Sequence, residues 1–181
     1  QFNIDQAQAE RVYQSAVLLF NQYNAWQNTE LIPEMQDVLF WAARLHEVGI
    51  VINHKAMQKH SAYILYNTEL PGFDNEQHRL LSTLVRYHIG NFKLPDMFKF
   101  SRYNEKDVLA LIRILRLAAI INRSRQATEK TEKIILKNDR TFSNWQLEFE
   151  TDYLTHNPLL KNDLALENRF LQTLELSLSA R

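Results

Sequence analysis

The stretch from Arg44 to Leu65, RLHEVGIVINHKAMQKHSAYIL, holds three of the chain's six histidines, His46, His54 and His60, the first of them beside Glu47. An imidazole next to a carboxylate, with more imidazoles downstream, is the donor content of a metal site that activates water against a phosphate ester. The spacing argues against a site built on one helix. His54 and His60 are six residues apart and His46 and His54 eight, whereas one helix face grips a metal with donors at i and i+4. A metal site would have to be assembled across elements, and taken alone these histidines read as structural or surface residues.

Composition bounds the remaining chemistry. The 181 residues suffice for one domain with a core, or a core and a small appendage. The 21 basic residues balance 21 acidic ones, so no global field draws in a nucleic acid or a membrane, and any anion site must come from local clustering. The absence of cysteine excludes disulfides and thiolate metal sites and fits a reducing compartment. No signal peptide is seen, nor an apolar run long enough to span a bilayer. The three glycines, Gly49, Gly72 and Gly90, fall where helices should stop or turns form, and none pairs with another into a loop that cradles phosphate. Opening at Gln1 rather than methionine, the chain is expected to be a piece of something longer.

These residues are positioned by a mainly helical pattern. Asp5 to Gln8 has the form of a capping box, and apolar residues at Ala9, Val12, Tyr13, Ala16, Leu19, Phe20 and Tyr23 make one helical stripe. Pro33 suits the first turn of a second helix that continues through Leu45 until Gly49. A shorter helix covers Ala56 to Tyr66, and a second capping box, Asp74 to Gln77, opens one that runs to Gly90. Pro95 falls in a loop. From Asn104 to about Arg125 the pattern is apolar around most of the circumference, as in a helix buried among others. Lys106, Arg113, Arg116 and Arg123 share one sector of it, either as long side chains snorkelling to water or as a basic stripe facing an anion or a partner domain. After Thr128 the period becomes two: Trp145, Leu147 and Phe149 alternate with polar residues, Ile134 and Leu136 precede the polar loop KNDRTFSN, and Leu174, Leu176 and Leu178 alternate again. Asp163 to Leu171 reads as helix. The expected architecture is mainly α: a helical bundle over 1–127, then over 128–181 a small antiparallel sheet carrying one helix.

The strings LHEVGIVINHKAMQKHSAYILYNTELPGF, LLSTLVRYH and LRLAAIINRSRQ resemble the C-terminal region of the bacterial exopolyphosphatases and guanosine pentaphosphate phosphohydrolases. The likeness runs from FNIDQAQAERV to the terminal strand, and RYH and NHKAMQKHSAYIL are closer to the exopolyphosphatase branch. In that family the helical part is similar to the His–Asp (HD) metal-dependent phosphohydrolases, whose pattern needs an early histidine, a His–Asp pair and a late aspartate around a divalent metal. Here His46 matches the pair's histidine, but Glu47 stands at the aspartate, Arg11 at the early histidine and Ala119 at the late aspartate. Arginine repels a cation and alanine has no donor. The resemblance therefore implies a degenerate remnant at His46 and Glu47, with no metal and no catalytic residue in this fragment.

It further implies that hydrolysis belongs to N-terminal actin-like domains of the same chain, which carry glycine-rich phosphate loops and a divalent metal such as Mg2+. This segment would hold inorganic polyphosphate and help to build a homodimer, in a cytoplasmic or membrane-peripheral enzyme that releases terminal phosphate. A polymer with about one charge per phosphate needs a track of cations, and binding to it weakens steeply with salt, by analogy with nucleic acids. Candidates for the track are Arg44, His54, Lys55, Lys59, His60, Arg86 and His88, with Arg113, Arg116 and Arg123 adding the helical stripe; each is alternatively a solvated charge or half of an internal ion pair, and Glu47 is an obvious partner for a nearby arginine. The alternatives are the same domain of a guanosine pentaphosphate phosphohydrolase, an active HD hydrolase with relocated ligands, and a purely structural or dimerising domain.

Overall fold

The computed structural model describes residues 4–97, 99–126 and 133–181. Asp5 caps α1 (Gln6–Gln22) by accepting from the Gln8 amide at 3.0 Å, but Gln8 does not return the bond. Its side chain instead crosses to the Asn122 carbonyl at 2.8 Å, so the expected first capping box is half a box. Pro33 lies in the first turn of α2 (Ile32–Leu45). That helix ends at Leu45, earlier than Gly49, and a short 3-10 turn follows over Val48–Val51. Gly49 is needed for a close approach, not for stopping a helix: a Cβ there would lie 2.3 Å from the Ser61 amide nitrogen and 2.6 Å from the Met57 carbonyl of α3 (Met57–Tyr66). The second capping box forms as read, with Asp74 and Gln77 exchanging bonds at the start of α4 (Asn75–Tyr87). Pro95 lies in a 3-10 turn, Leu94–Asp96, and Asn104 caps α5 (Glu105–Ile121), which stops at Asn122, short of Arg125.

α5 is the central element. Its residues from Asp107 to Ala118 are all buried, enclosed by α1, α2 and α4 on one side and by the C-terminal segment on the other. That segment contains β1 (Ile135–Asn138), β2 (Asn144–Glu148), the short α6 (Tyr153–His156), α7 (Pro158–Gln172) and β3 (Ser177–Ala180). The β1–β2 hairpin is antiparallel as expected, with Leu136 opposite Leu147. β3, however, pairs parallel to β2, so the sheet is mixed and not antiparallel. The reason is connectivity. A strand that returns through a helix enters the sheet in the same direction as the one it left, and α7 is that crossover. Leu136, Trp145, Leu147, Phe170 and Leu178 share one buried cluster with Leu19, Leu111 and Leu115 of the bundle.

Candidate functional site

His46 and His88 follow the last residues of α2 and α4. Each places ring Nδ1 against the carbonyl three residues back, Ala43 at 2.7 Å and Val85 at 2.5 Å. A nitrogen facing a carbonyl at that distance carries the proton and donates it, which leaves Nε2 of both rings as a lone pair. The rings meet edge to face with centroids 5.0 Å apart, and both residues are buried. Burial depresses both imidazoles. His88 is pushed down to about 3, with the neighbouring His46 adding to the effect. His46 is lowered by burial against the opposing pull of the Glu47 carboxylate. At neutral pH the site contains two uncharged rings.

The carboxylate beside them is already engaged. Glu47 is buried, and its Oε1 lies 3.9 Å from His46 Nε2. Arg125, four residues beyond the last residue of α5, donates to Glu47 through Nη2 at 2.5 Å and Nη1 at 3.3 Å, and reaches Asp5 at 3.1 Å. One guanidinium thus ties the start of α1, the end of α2 and the segment after α5. It is the arginine partner anticipated for Glu47, although its position was not. Arg11, at the early histidine position, donates to the Gln8 side chain at 3.1 and 2.9 Å, and Ala119 brings no donor. Among the described residues no three or more His, Asp or Glu side chains converge as a cation cage. The two lone pairs would suit a divalent metal, but a fixed positive group bonded to the adjacent Glu47 carboxylate does not. The residues do not fit the metal of the HD pattern.

The proposed cations divide into two groups. His54, Lys55 and Lys59 are exposed, at the turn into α3 and on its first turns, and His60 is half-buried beside them. Arg44 is half-buried with its guanidinium 3.8 Å over the Tyr13 ring, and Arg86 is half-buried 5.5 Å from the Tyr87 ring. None of these six enters an ion pair among the described residues. From Val48 to Thr68 there is no acidic residue, so the first four form a locally positive stretch in a chain of balanced charge.

The other four are engaged by partners within the fold, three of them buried. His88 is buried in the ring pair just described. Arg113 is 1 % exposed; it donates to the carbonyls of Phe142 (3.1 Å), Ser143 (3.0 Å) and Ser177 (2.7 Å) and lies 4.0 Å over the Trp145 ring. Burial without a carboxylate partner pushes its guanidinium down to about 9. Arg116 makes a two-armed pair with the buried Glu167 (2.7 and 2.8 Å) and donates to the Tyr87 and Gly90 carbonyls. Arg123 is exposed but paired with Asp163 at 2.8 Å. The middle of the basic sector, Arg113 and Arg116, is therefore neither snorkelling to water nor open to an anion, while Lys106 and Arg123 at its two ends are exposed. Arg113 and Arg116 fasten the bundle to the C-terminal sheet and helix, and with His88 they leave the phosphate track.

A family model described as Ppx/GppA phosphatase, domain III, matches residues 1–168. The chain is similar to the guanosine-5'-triphosphate,3'-diphosphate pyrophosphatase of Pseudoalteromonas translucida (strain TAC 125), 33 % identical over 173 residues, which is 93 % of this chain and 33 % of the relative. It is likewise similar to proteins of the same name from Aeromonas hydrophila, 37 % identical over 121 residues (66 % of this chain, 24 % of the relative), and from Vibrio cholerae serotype O1, 33 % over 170 residues (92 % and 32 %). At most about a third of the length of these relatives is spanned by the chain. All three carry the name of the guanosine branch, so the lean toward exopolyphosphatase gains no support from them. With the family model covering nearly the whole sequence, the chain belongs to the Ppx/GppA phosphatase family, as its domain III.

Proposed function

We propose that this domain holds the anionic substrate of a phosphoanhydride hydrolase and does not itself hydrolyse it. The hydrolytic centre then lies in actin-like domains N-terminal to it in the parent chain, where a divalent metal such as Mg2+ would serve. The observation that carries the reading is the exchange of roles between two nearby places in one segment. At Glu47 the fold supplies its own cation, Arg125, and between Glu47 and Glu69 it presents His54, Lys55 and Lys59 to solvent without an ion-pair partner among the described residues. A guanidinium in place of a metal removes the Lewis acid that would activate water, and unpaired cations at the start of a helix attract phosphate oxygens. The relatives' names favour guanosine 5'-triphosphate 3'-diphosphate as the parent's substrate, while RYH and NHKAMQKHSAYIL favour inorganic polyphosphate. Both present the same recognisable chemistry, a string of phosphoanhydride-linked anions. The same reading makes the parent a cytoplasmic homodimer.

The test is binding of long-chain polyphosphate to the chain at one fixed, low salt concentration, with Lys55, Lys59 and Arg86 reversed together to glutamate. The reading requires a loss of at least about tenfold, since each of several phosphate contacts is removed. Unchanged affinity, or no binding by the unaltered chain, overturns it and leaves the structural role.

A further inference from the structure

The turn that leads into α3 and the outer face of that helix leave apolar side chains in water beside the open cations. Of the eight large apolar side chains exposed among the described residues, four lie between Val51 and Tyr66, so the exposure is concentrated here and not scattered. Val51 and Ile52 are each 54 % exposed, Tyr63 68 % and Tyr66 52 %. Local bonds set the turn. The Gly49 amide donates to Ser61 Oγ at 2.8 Å, the Ile52 amide to the Gly49 carbonyl at 3.0 Å, and the Lys55 amide to Asn53 Oδ1 at 2.9 Å. Val51 and Ile52 are thereby placed at the N-terminal end of α3. Lys59, Tyr63 and Tyr66 stand at i, i+4 and i+7 and share one side of the helix, opposite the buried Ser61, Ala62 and Leu65. Tyr66 stacks on His78, but the Tyr63 ring has no aromatic or cation partner among the described residues.

Phosphate accounts for the cations but not for the apolar side chains, since an inorganic anion gains nothing from Ile52 or Tyr63. A second copy of the chain is a poor occupant, because two-fold pairing through this face sets Lys55 and Lys59 against their own like charges. An anionic lipid surface is held by clusters of about four to eight lysines and arginines, and from Val48 to Thr68 there are two lysines and no arginine. A protein segment that carries carboxylates and apolar side chains together matches both halves of the face. No acidic residue between Glu47 and Glu69 repels its carboxylates, and an exposed tyrosine beside apolar neighbours has the composition of an interface anchor. We infer that the Val51–Ile52 turn and the outer face of α3 dock an acidic segment of a partner protein, with its apolar side chains against Ile52 and Tyr63 and its carboxylates against Lys55 and Lys59. The ten residues of α3 are about 15 Å long, room for about three turns of a partner helix laid alongside. This rests on the part of the proposed function that leaves these cations open to anions, and it adds a partner that competes with the phosphate chain for the same lysines.

The experiment titrates the chain with two fluorescein-labelled peptides of equal charge, one of glutamates with leucine at every third or fourth position, the other with serine in place of each leucine. Long-chain polyphosphate is the third probe. Ile52→Ser, Tyr63→Ser and the double variant Lys55→Gln, Lys59→Gln are compared with the unaltered chain. Thermal melting checks that each variant is folded; substitutions at exposed positions should leave it unchanged. The leucine peptide should bind at least about tenfold more tightly than the serine peptide, from the apolar surface it buries. Ile52→Ser and Tyr63→Ser should each weaken the leucine peptide by about fivefold or more, the range of an anchoring side chain, and leave polyphosphate unaffected. The double variant should weaken both, and polyphosphate should displace the leucine peptide. Equal binding of the two peptides, no effect of Ile52→Ser and Tyr63→Ser, or binding of polyphosphate without either peptide overturns this inference alone. Binding of the leucine peptide without polyphosphate sustains the docking surface and overturns the substrate role. Binding of none of the three overturns both. Sedimentation with phosphatidylserine vesicles that is lost in Ile52→Ser and Tyr63→Ser, without peptide binding, overturns the inference and assigns the face to lipid.

Discussion

Replacing Arg125 by alanine removes the cation that faces Glu47 and leaves a carboxylate whose side chain is 9 % exposed next to two uncharged imidazoles. An ion pair at the surface contributes about 0–1 kcal/mol, and removing one partner of a fully buried pair costs about 3–5 kcal/mol. The Arg125 side chain is 45 % exposed, so the pair lies between these cases. A loss of about 2 kcal/mol is expected, equivalent to about 4–8 °C in Tm for a domain of this size. The second arm, to Asp5, is screened by water and adds little. Urea denaturation followed by the fluorescence of the three tryptophans measures the loss. A second substitution separates this from loss of packing. Glu47→Gln removes the charge that needs compensation, so Arg125→Ala should cost much less in that background, with a coupling of about 1 kcal/mol or more. Stability within about 0.5 kcal/mol of the original, or strictly additive losses, would refute the view that a guanidinium has taken over the cation's place.

Three further outcomes follow from the same geometry. His88 is held near 3 in the fold against 6.5 unfolded, so below pH 6.5 the unfolded chain binds the proton that the folded one refuses. Stability should therefore be full above that pH and fall as pH drops toward 3, at up to about 1.4 kcal/mol per pH unit, with the depressed His46 adding in the same direction; denaturation of His88→Gln between pH 7 and pH 4 should give a flatter curve, and parallel curves would refute the assignment. Glu167→Ala strands the buried Arg116 and should destabilise by about 3–5 kcal/mol in the same urea assay, whereas a loss under about 1 kcal/mol would mean that the pair relaxes into water. Gly49→Ala drives a methyl into the backbone of α3 and should cost about 1–3 kcal/mol, and a neutral result would show that the 3-10 turn shifts freely.

The helices were legible wherever their signals are local. Asp74 with Gln77, Pro33, and the apolar stripe of α1 each act within a turn or two, and each marks an element that forms. Failures occurred where distant residues decide. Gln8 had the spacing of a capping box but is drawn to a carbonyl 114 positions away. Leu174, Leu176 and Leu178 alternate, but alternation is the same for parallel and antiparallel neighbours, and only the α7 crossover sets the direction. Arg113 and Arg116 read either as side chains snorkelling to water from a buried helix or as a stripe facing an anion or a partner domain, because charge is ordinarily solvated or paired. Their partners, Phe142, Ser143, Ser177 and Glu167, lie 29 to 64 residues further along. In the histidine stretch, the matches of His46, Glu47, Arg11 and Ala119 to the HD pattern of the family it resembles implied a cage that had lost its ligands. They did not show that Arg125 fills it, since its approach depends on how the chain turns after Ile121.

The most direct measurement is the affinity of the chain for long-chain polyphosphate as a function of salt concentration. If His54, Lys55, Lys59 and their neighbours hold the ligand by charge, the logarithm of the affinity falls linearly with the logarithm of the salt concentration, with a slope of about −2 or steeper for at least three phosphates neutralised. An affinity that stays level from low to high salt, or no binding at all, contradicts the account.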